Sequence, residues 1–165
     1  CTSGGKAIRF PEQEVRAMVR DAAGVRGVKL DGGQELIALI VCGEGNVLTA
    51  SENGYGKLTP LDDFPRHGRG GQGVIALQTS DRNGALVAAL QVTAGQEIML
   101  ISSTGTLVRT PVDEISVLGR NTQGVRLIRL ADGERLTGIE RIESLEGEAD
   151  AAGSEDPEPV PPATP

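Results

Sequence analysis

Apolar positions along this chain come in short runs separated by glycine-bearing corners, a pattern that predicts strands rather than helices. Residues 98–101 are apolar, 102–105 form a polar turn, and 106–110 return as a second strand stopped by Pro111. The same order recurs at 47–50, Glu52-Asn53-Gly54 and 55–59, where Asn-Gly signals a tight hairpin that needs positive φ. Further runs stand at 25–30, 74–79 and 125–130, each followed by a polar corner and a final run at 36–41, 86–92 or 136–142. This predicts four antiparallel strands per unit, with the nearly continuous apolar runs covered on both faces.

The units are copies of one repeat. Gly5, Gly54 and Gly105 each stand nineteen residues before Gly24, Gly73 and Gly124, and valine follows the second glycine each time (Val25, Val74, Val125). Between them, in register, lie Pro11, Pro60 and Pro111, then Val15, Phe64 and Ile115, then Arg20, Arg69 and Arg120. A period near fifty residues points to a propeller-like array in which each unit completes its neighbour's core. The expected boundaries are about 3–48, 49–97 and 98–142. Residues 14–20 place Val15, Met18 and Val19 at helical spacing, but the equivalent segments contain Pro65, Gly68 and Gly119. An extended connector is therefore expected in all three copies.

Composition changes this picture in three places. Phe10, Phe64 and Tyr55 are the only aromatics, so the core falls to Val, Ile, Leu and Ala. Cys1 and Cys42 lack ligand spacing, and Cys42 is expected as a small buried residue in a reducing cytoplasmic setting. No apolar run has the length of a membrane span and no secretory leader is expected. The net charge of −7 is carried by residues 143–165, which hold seven acids and no Lys or Arg; the remaining 16 acids balance the 16 basic residues. That proline-rich acidic segment reads as a disordered tail.

Catalytic chemistry finds little support. His67 stands alone among arginines and glycines and reads as a solvent-facing loop residue. Asp62-Asp63 and Asp113-Glu114 have no His or Cys cluster to complete a metal site. Gly70-Gly71-Gln72-Gly73 is followed by no Gly-Lys-Ser/Thr and opens no expected helix. No catalytic residue, metal ligand or cofactor is expected. The basic residues are more informative. Arg20, Arg69 and Arg120 recur in register, Arg9 matches Arg109, Arg26 matches Arg126, and Lys6, Lys57 and Arg66 lie nearby. Equivalent positions in a repeat array recur along one rim, so a neutral body can present a basic belt that holds phosphates without reading bases. The alternative is a protein-interaction propeller whose arginines are solvated or paired with acids.

Residues 53–63 (NGYGKLTPLDD), 15–30 (VRAMVRDAAGVRGVKL), 82–92 (RNGALVAALQV), 98–109 (IMLISSTGTLVR) and 115–129 (ISVLGRNTQGVRLIR) resemble the C-terminal domain of bacterial DNA gyrase A. The likeness covers roughly 3–142, with NGYGK and GRNTQGV its most specific motifs; the related domain of topoisomerase IV is less similar in repeat regularity. The resemblance implies an all-β pinwheel, here three blades of about six, whose basic perimeter binds and wraps double-stranded DNA without catalysis. It implies as partners the rest of gyrase A, together with gyrase B, in an A2B2 complex that supercoils DNA negatively using ATP. It also implies a bacterial, cytoplasmic, chromosome-associated setting. Tyr55 lies in a repeat hairpin and is not the DNA-cleaving tyrosine of that family. The family's basic motif Gln-Arg-Arg-Gly-Gly-Lys-Gly is absent; residues 67–73 keep Arg69, Gly70, Gly71 and Gly73 but place Gln72 where its lysine stands. Weaker DNA binding than by an intact domain is expected, with the acidic tail competing for the basic surface.

Overall fold

A computed structural model describes residues 1–142, which are all-β apart from three single 3-10 turns. The expected acidic tail at 143–165 lies outside the described residues. The strands are β1 (Lys6–Ala7), β2 (Asn46–Ser51), β3 (Tyr55–Pro60), β4 (Val74–Ile75), β5 (Leu86–Val92), β6 (Glu97–Ser102), β7 (Leu107–Pro111), β8 (Val125–Arg126) and β9 (Leu136–Ile142).

The two hairpins stand where the apolar runs and their turn residues place them. β2 pairs antiparallel with β3 from Asn46↔Pro60 to Ala50↔Gly56, and β6 pairs with β7 from Glu97↔Pro111 to Ile101↔Leu107. Gly54, at φ 80°, supplies the left-handed backbone that the first reversal needs. The last run of each unit, β5 or β9, pairs on the other side of β2 or β6. Both of these ladders slip at the same place, between Ala50 and Ser51 and between Ile101 and Ser102. Repetition thus extends to the bulges.

The fourth strand of a blade comes from the following repeat. Pro11, Pro60 and Pro111 each open a 3-10 turn (Glu12–Glu14, Leu61–Asp63, Val112–Glu114), after which Val15, Phe64 and Ile115 are extended. No helix forms over 14–20, as the prolines and glycines of the sister segments require. From this turn the chain leaves its own blade as a strap. The second repeat's strap bridges Arg9 in parallel through Arg66 and then lays β4 antiparallel on β1. The third bridges Leu58 through Val117 and lays β8 on β3, giving a sheet in the order β5-β2-β3-β8. Among the described residues the third sheet, β7-β6-β9, has no such strand.

The larger core joins the second and third repeats around Leu48, Leu58, Ile98, Leu100, Ile115 and Leu136. A smaller one joins the first and second around Ala7, Val47, Phe64 and Ala76. Full burial of such side chains is the main stabilising term, at roughly 1.5–3 kcal/mol each. The first repeat departs from expectation. Residues 25–30 form no strand, and 36–41 meet the chain start through the bridge Thr2↔Leu36 and the bonds Ile37 N to Cys1 O and Cys1 N to Ala38 O. Leu39 and Val41 are 85% and 88% exposed, and Cys42, expected inside, is exposed with them. Their sister strand β5 has β2 alongside it over its whole length, whereas Cys1 reaches only as far as Ile37 and Ala38.

Candidate nucleic-acid interface

The straps position most of the recurring arginines. Pro60 and Pro111 fix φ at the exit from the hairpin, the 3-10 turn redirects the chain, and Phe64 or Ile115 anchors it in a core. Gly73 and Gly124 then turn it with φ 72° and 77°, each so close to the neighbouring strand that a Cβ would meet Ala7 O at 2.2 Å or Gly56 O at 2.6 Å. Valine and the exchange strand follow, as the Gly-Val recurrence marks.

Within this frame the candidate cations divide by what holds them. Arg69 donates from Nε to Glu14 O at 3.0 Å and from Nη1 to Arg26 O at 3.1 Å. Its sister Arg120 donates from Nη1 to Ile75 O at 3.0 Å. Both tie their strap to the strap before, which explains their recurrence without a ligand. Arg9 donates to Leu61 O and Phe64 O, lies 3.9 Å from Asp62, and has a side chain only 18% exposed. Lys6 pairs with Asp31 at 3.2 Å, and Arg109 on β7 pairs with Glu97 on β6.

Lys57 requires a correction. Expected on a basic rim, it is fully buried, and its ammonium donates to Gly119 O, Arg120 O and Thr122 Oγ1. Burial, with the Arg120 charge as a lesser cause, lowers its pKa to about 8, against a small opposing pull from Asp63. It fastens the third strap to the second blade and is out of a phosphate's reach. Spacing could not show this, because the positions equivalent to Lys57 hold Ile8 and Val108.

Arg20, Arg26 and Arg66 have exposed side chains for which the described residues supply no hydrogen-bond or ion-pair partner. Arg126 is also exposed, and is held in place: its Nη2 donates to Tyr55 Oη at 2.9 Å and its guanidinium lies 5.4 Å from the ring centroid. Arg82, absent from the candidates, lies over the same ring at 4.8 Å. The hydrogen bond from Arg126, then that from Arg82, lowers the Tyr55 phenol below its ordinary pKa. The NGYGK hairpin facing RNG was the available signal for Arg82, but only the fold brings 55 and 82 together. His67 is exposed, and its amide donates to Arg9 O. The exposed arginines are thus Arg20, Arg26 and Arg66, with Arg82 and Arg126 over Tyr55. Exposed guanidinium groups of this kind suit a polyanion held through its phosphates.

A family model described as the DNA gyrase C-terminal domain, beta-propeller, matches residues 1–43, 45–93 and 96–143. DNA gyrase A of Pseudomonas aeruginosa is 60% identical over 147 residues, which are 88% of this chain and 16% of that protein. DNA gyrase A of Escherichia coli K12 is 49% identical over 139 residues, 84% of this chain and 16% of that protein. The chain thus spans about one-sixth of the length of these relatives. A solved DNA gyrase A C-terminal domain superposes with a TM-score of 0.80 at 27% identity, over 86% of this chain and 49% of that one. The C-terminal domain of a DNA topoisomerase IV, at 23% identity and a TM-score of 0.79, shares the fold over 86% of this chain and 45% of its own.

Proposed function

This chain belongs to the DNA gyrase C-terminal domain family, and on that premise we propose that it is a non-catalytic module that binds and wraps double-stranded DNA through phosphate contacts. The observation that carries the reading is a set of exposed arginines: Arg126 on exchange strand β8, Arg26 at the equivalent position of the first repeat, Arg66 on a strap, and Arg82 beside Arg126 on Tyr55. Lys57, Arg69 and Arg120 serve the body that presents them. In the whole protein the module supports ATP-dependent negative supercoiling by gyrase A and gyrase B together, by holding a duplex against its rim before strand passage.

Duplex binding across a salt series tests this. Arg26→Ala, Arg66→Ala and Arg126→Ala are each expected to weaken binding to all sequences alike, lowering the slope of log affinity against log salt by about 1. A chain that binds no duplex at low salt overturns the reading. Wrapping, as opposed to adhesion, is read from the linking number of nicked circles sealed with the chain bound.

A further inference from the structure

The junction between the second and third repeats carries a cluster that the first junction lacks. Where the third strap lays β8 on β3, Tyr55 stands opposite Arg126. The Tyr55 ring is buried, yet both guanidiniums over it belong to exposed residues. Arg126 lies 5.4 Å from the ring centroid and donates from Nη2 to Oη at 2.9 Å, and Arg82 lies at 4.8 Å. Among the described residues neither guanidinium forms an ion pair. Two positive charges thus meet at one ring with no carboxylate between them, an arrangement that Coulomb repulsion disfavours until an anion enters.

The same positions at the first junction neutralise themselves. There Lys6↔Ile75 replaces Tyr55↔Arg126, and Gly32 follows Asp31 where Arg82 follows Asp81. The one cation left, Lys6, is matched by Asp31 at 3.2 Å. Asp81 is the counterpart of Asp31, but its corner is one residue longer, and among the described residues it forms no ion pair.

The second junction also holds its guanidinium-bearing segments in place. Asn83 is fully buried; its Oδ1 accepts from Ser80 N at 2.8 Å, and its Nδ2 donates to Gln78 O at 2.9 Å and Gln123 O at 3.2 Å. Asn53 donates from Nδ2 to Asp81 O and Arg82 O. One buried amide therefore ties the corner that carries Arg82 to the strap that carries Arg126, three residues beyond Gln123. Groups ordered before a ligand arrives lose less freedom on binding it.

We propose that Arg82, Arg126 and Tyr55 Oη form a seat for one phosphate group, with Asn53 and Asn83 as its positioning residues. A guanidinium presents paired N–H donors whose spacing matches two phosphate oxygens. Tyr55 Oη accepts from Arg126 and keeps its own O–H to donate to a further oxygen. The seat reads no base, so a duplex backbone and a free phosphate share its chemistry. Only in taking the backbone as its source does it rest on the DNA-binding reading above.

Tyr55 is the only tyrosine of the chain, so the 165-residue chain made with fluorotyrosine gives one fluorine NMR resonance, at the seat. It is titrated with inorganic phosphate, with chloride at equal ionic strength, and with a short duplex. The expected result is a saturable shift with phosphate and none with chloride. Arg82→Ala and Arg126→Ala are each expected to weaken phosphate about tenfold or more, by removing charge-assisted hydrogen bonds. Arg126→Lys keeps the charge without the fork and is expected to weaken it severalfold. Arg16→Ala, which removes a charge from the first strap, is expected to change nothing. A shift with the duplex as well assigns the seat to the DNA backbone, and a shift with inorganic phosphate alone assigns it to a free phosphate. No saturable shift with phosphate, an equal shift with chloride, or equal losses in Arg16→Ala and Arg126→Ala overturns the seat. If neither ligand moves the resonance while the chain still binds duplex, the seat falls and the wider phosphate-contact reading stands.

Discussion

Val15 and Phe64 hold one position in two copies of a repeat, yet Val15 is 41% exposed and Phe64 is 4% exposed. The straps they begin share a proline-led turn, a left-handed glycine, valine and arginine. What differs is outside them: Phe64 packs with Ala7, Val47 and Ala76, whereas no returning strand of a preceding repeat lies beneath Val15. Burial in this fold is conferred by the neighbouring repeat. The stability of a strap residue is therefore nearest-neighbour in origin, as in other repeat arrays.

The contrast can be broken most sharply at the anchors. Phe64→Ala is expected to lower unfolding stability by about 3–5 kcal/mol, against about 0.5 kcal/mol or less for Val15→Ala, measured by urea denaturation. Equal effects would refute the nearest-neighbour account. At the glycine, Gly24→Ala is expected to cost about 1–2 kcal/mol from left-handed strain alone. Gly124→Ala is expected to cost at least about 2 kcal/mol, because its Cβ also meets Gly56 O.

At the arginine, Arg120→Ala is expected to lose about 1–2 kcal/mol with the bond to Ile75 O, and Arg20→Ala about 0.5 kcal/mol or less. The smallest effect is at Lys57. Its folded pKa of about 8 lies below the ordinary 10.5, so between these values the unfolded state binds more protons and stability rises with pH. The cost of burying the ammonium is complete below about pH 8 and relieved toward 10.5. Lys57→Met lacks this term, so wild type should gain on the variant by about 1 kcal/mol at most between about pH 7.5 and 10, read from paired melts. A flat difference would mean that the ammonium is well solvated.

Local chemistry made the hairpins legible. Asn53-Gly54 and the runs at 47–50 and 55–59 mark both strands and the reversal between them, and the third repeat pairs in the same way over 97–111. The extended strap was legible only because three copies could be compared: residues 14–20 alone suggest a helix, and the prolines and glycines of the sister segments remove it. The arginine register was read as a ligand belt, but recurrence identifies a requirement without saying whose. For Arg69 and Arg120 it belongs to the carbonyls of Arg26 and Ile75. Arg82 escaped notice because its partner is the Tyr55 ring, 27 residues away in sequence.

The sequence by itself determined the all-β repeat, its hairpins, its turn positions and its family, because these follow from backbone preferences and side-chain patterns within one unit. Only the tertiary structure decided which strand completes which sheet, that Lys57 is inside, that Leu39, Val41 and Cys42 are outside, and which arginines face solvent. Those outcomes depend on contacts between units some fifty residues apart, where burial and hydrogen bonding are set by the neighbour a segment finds.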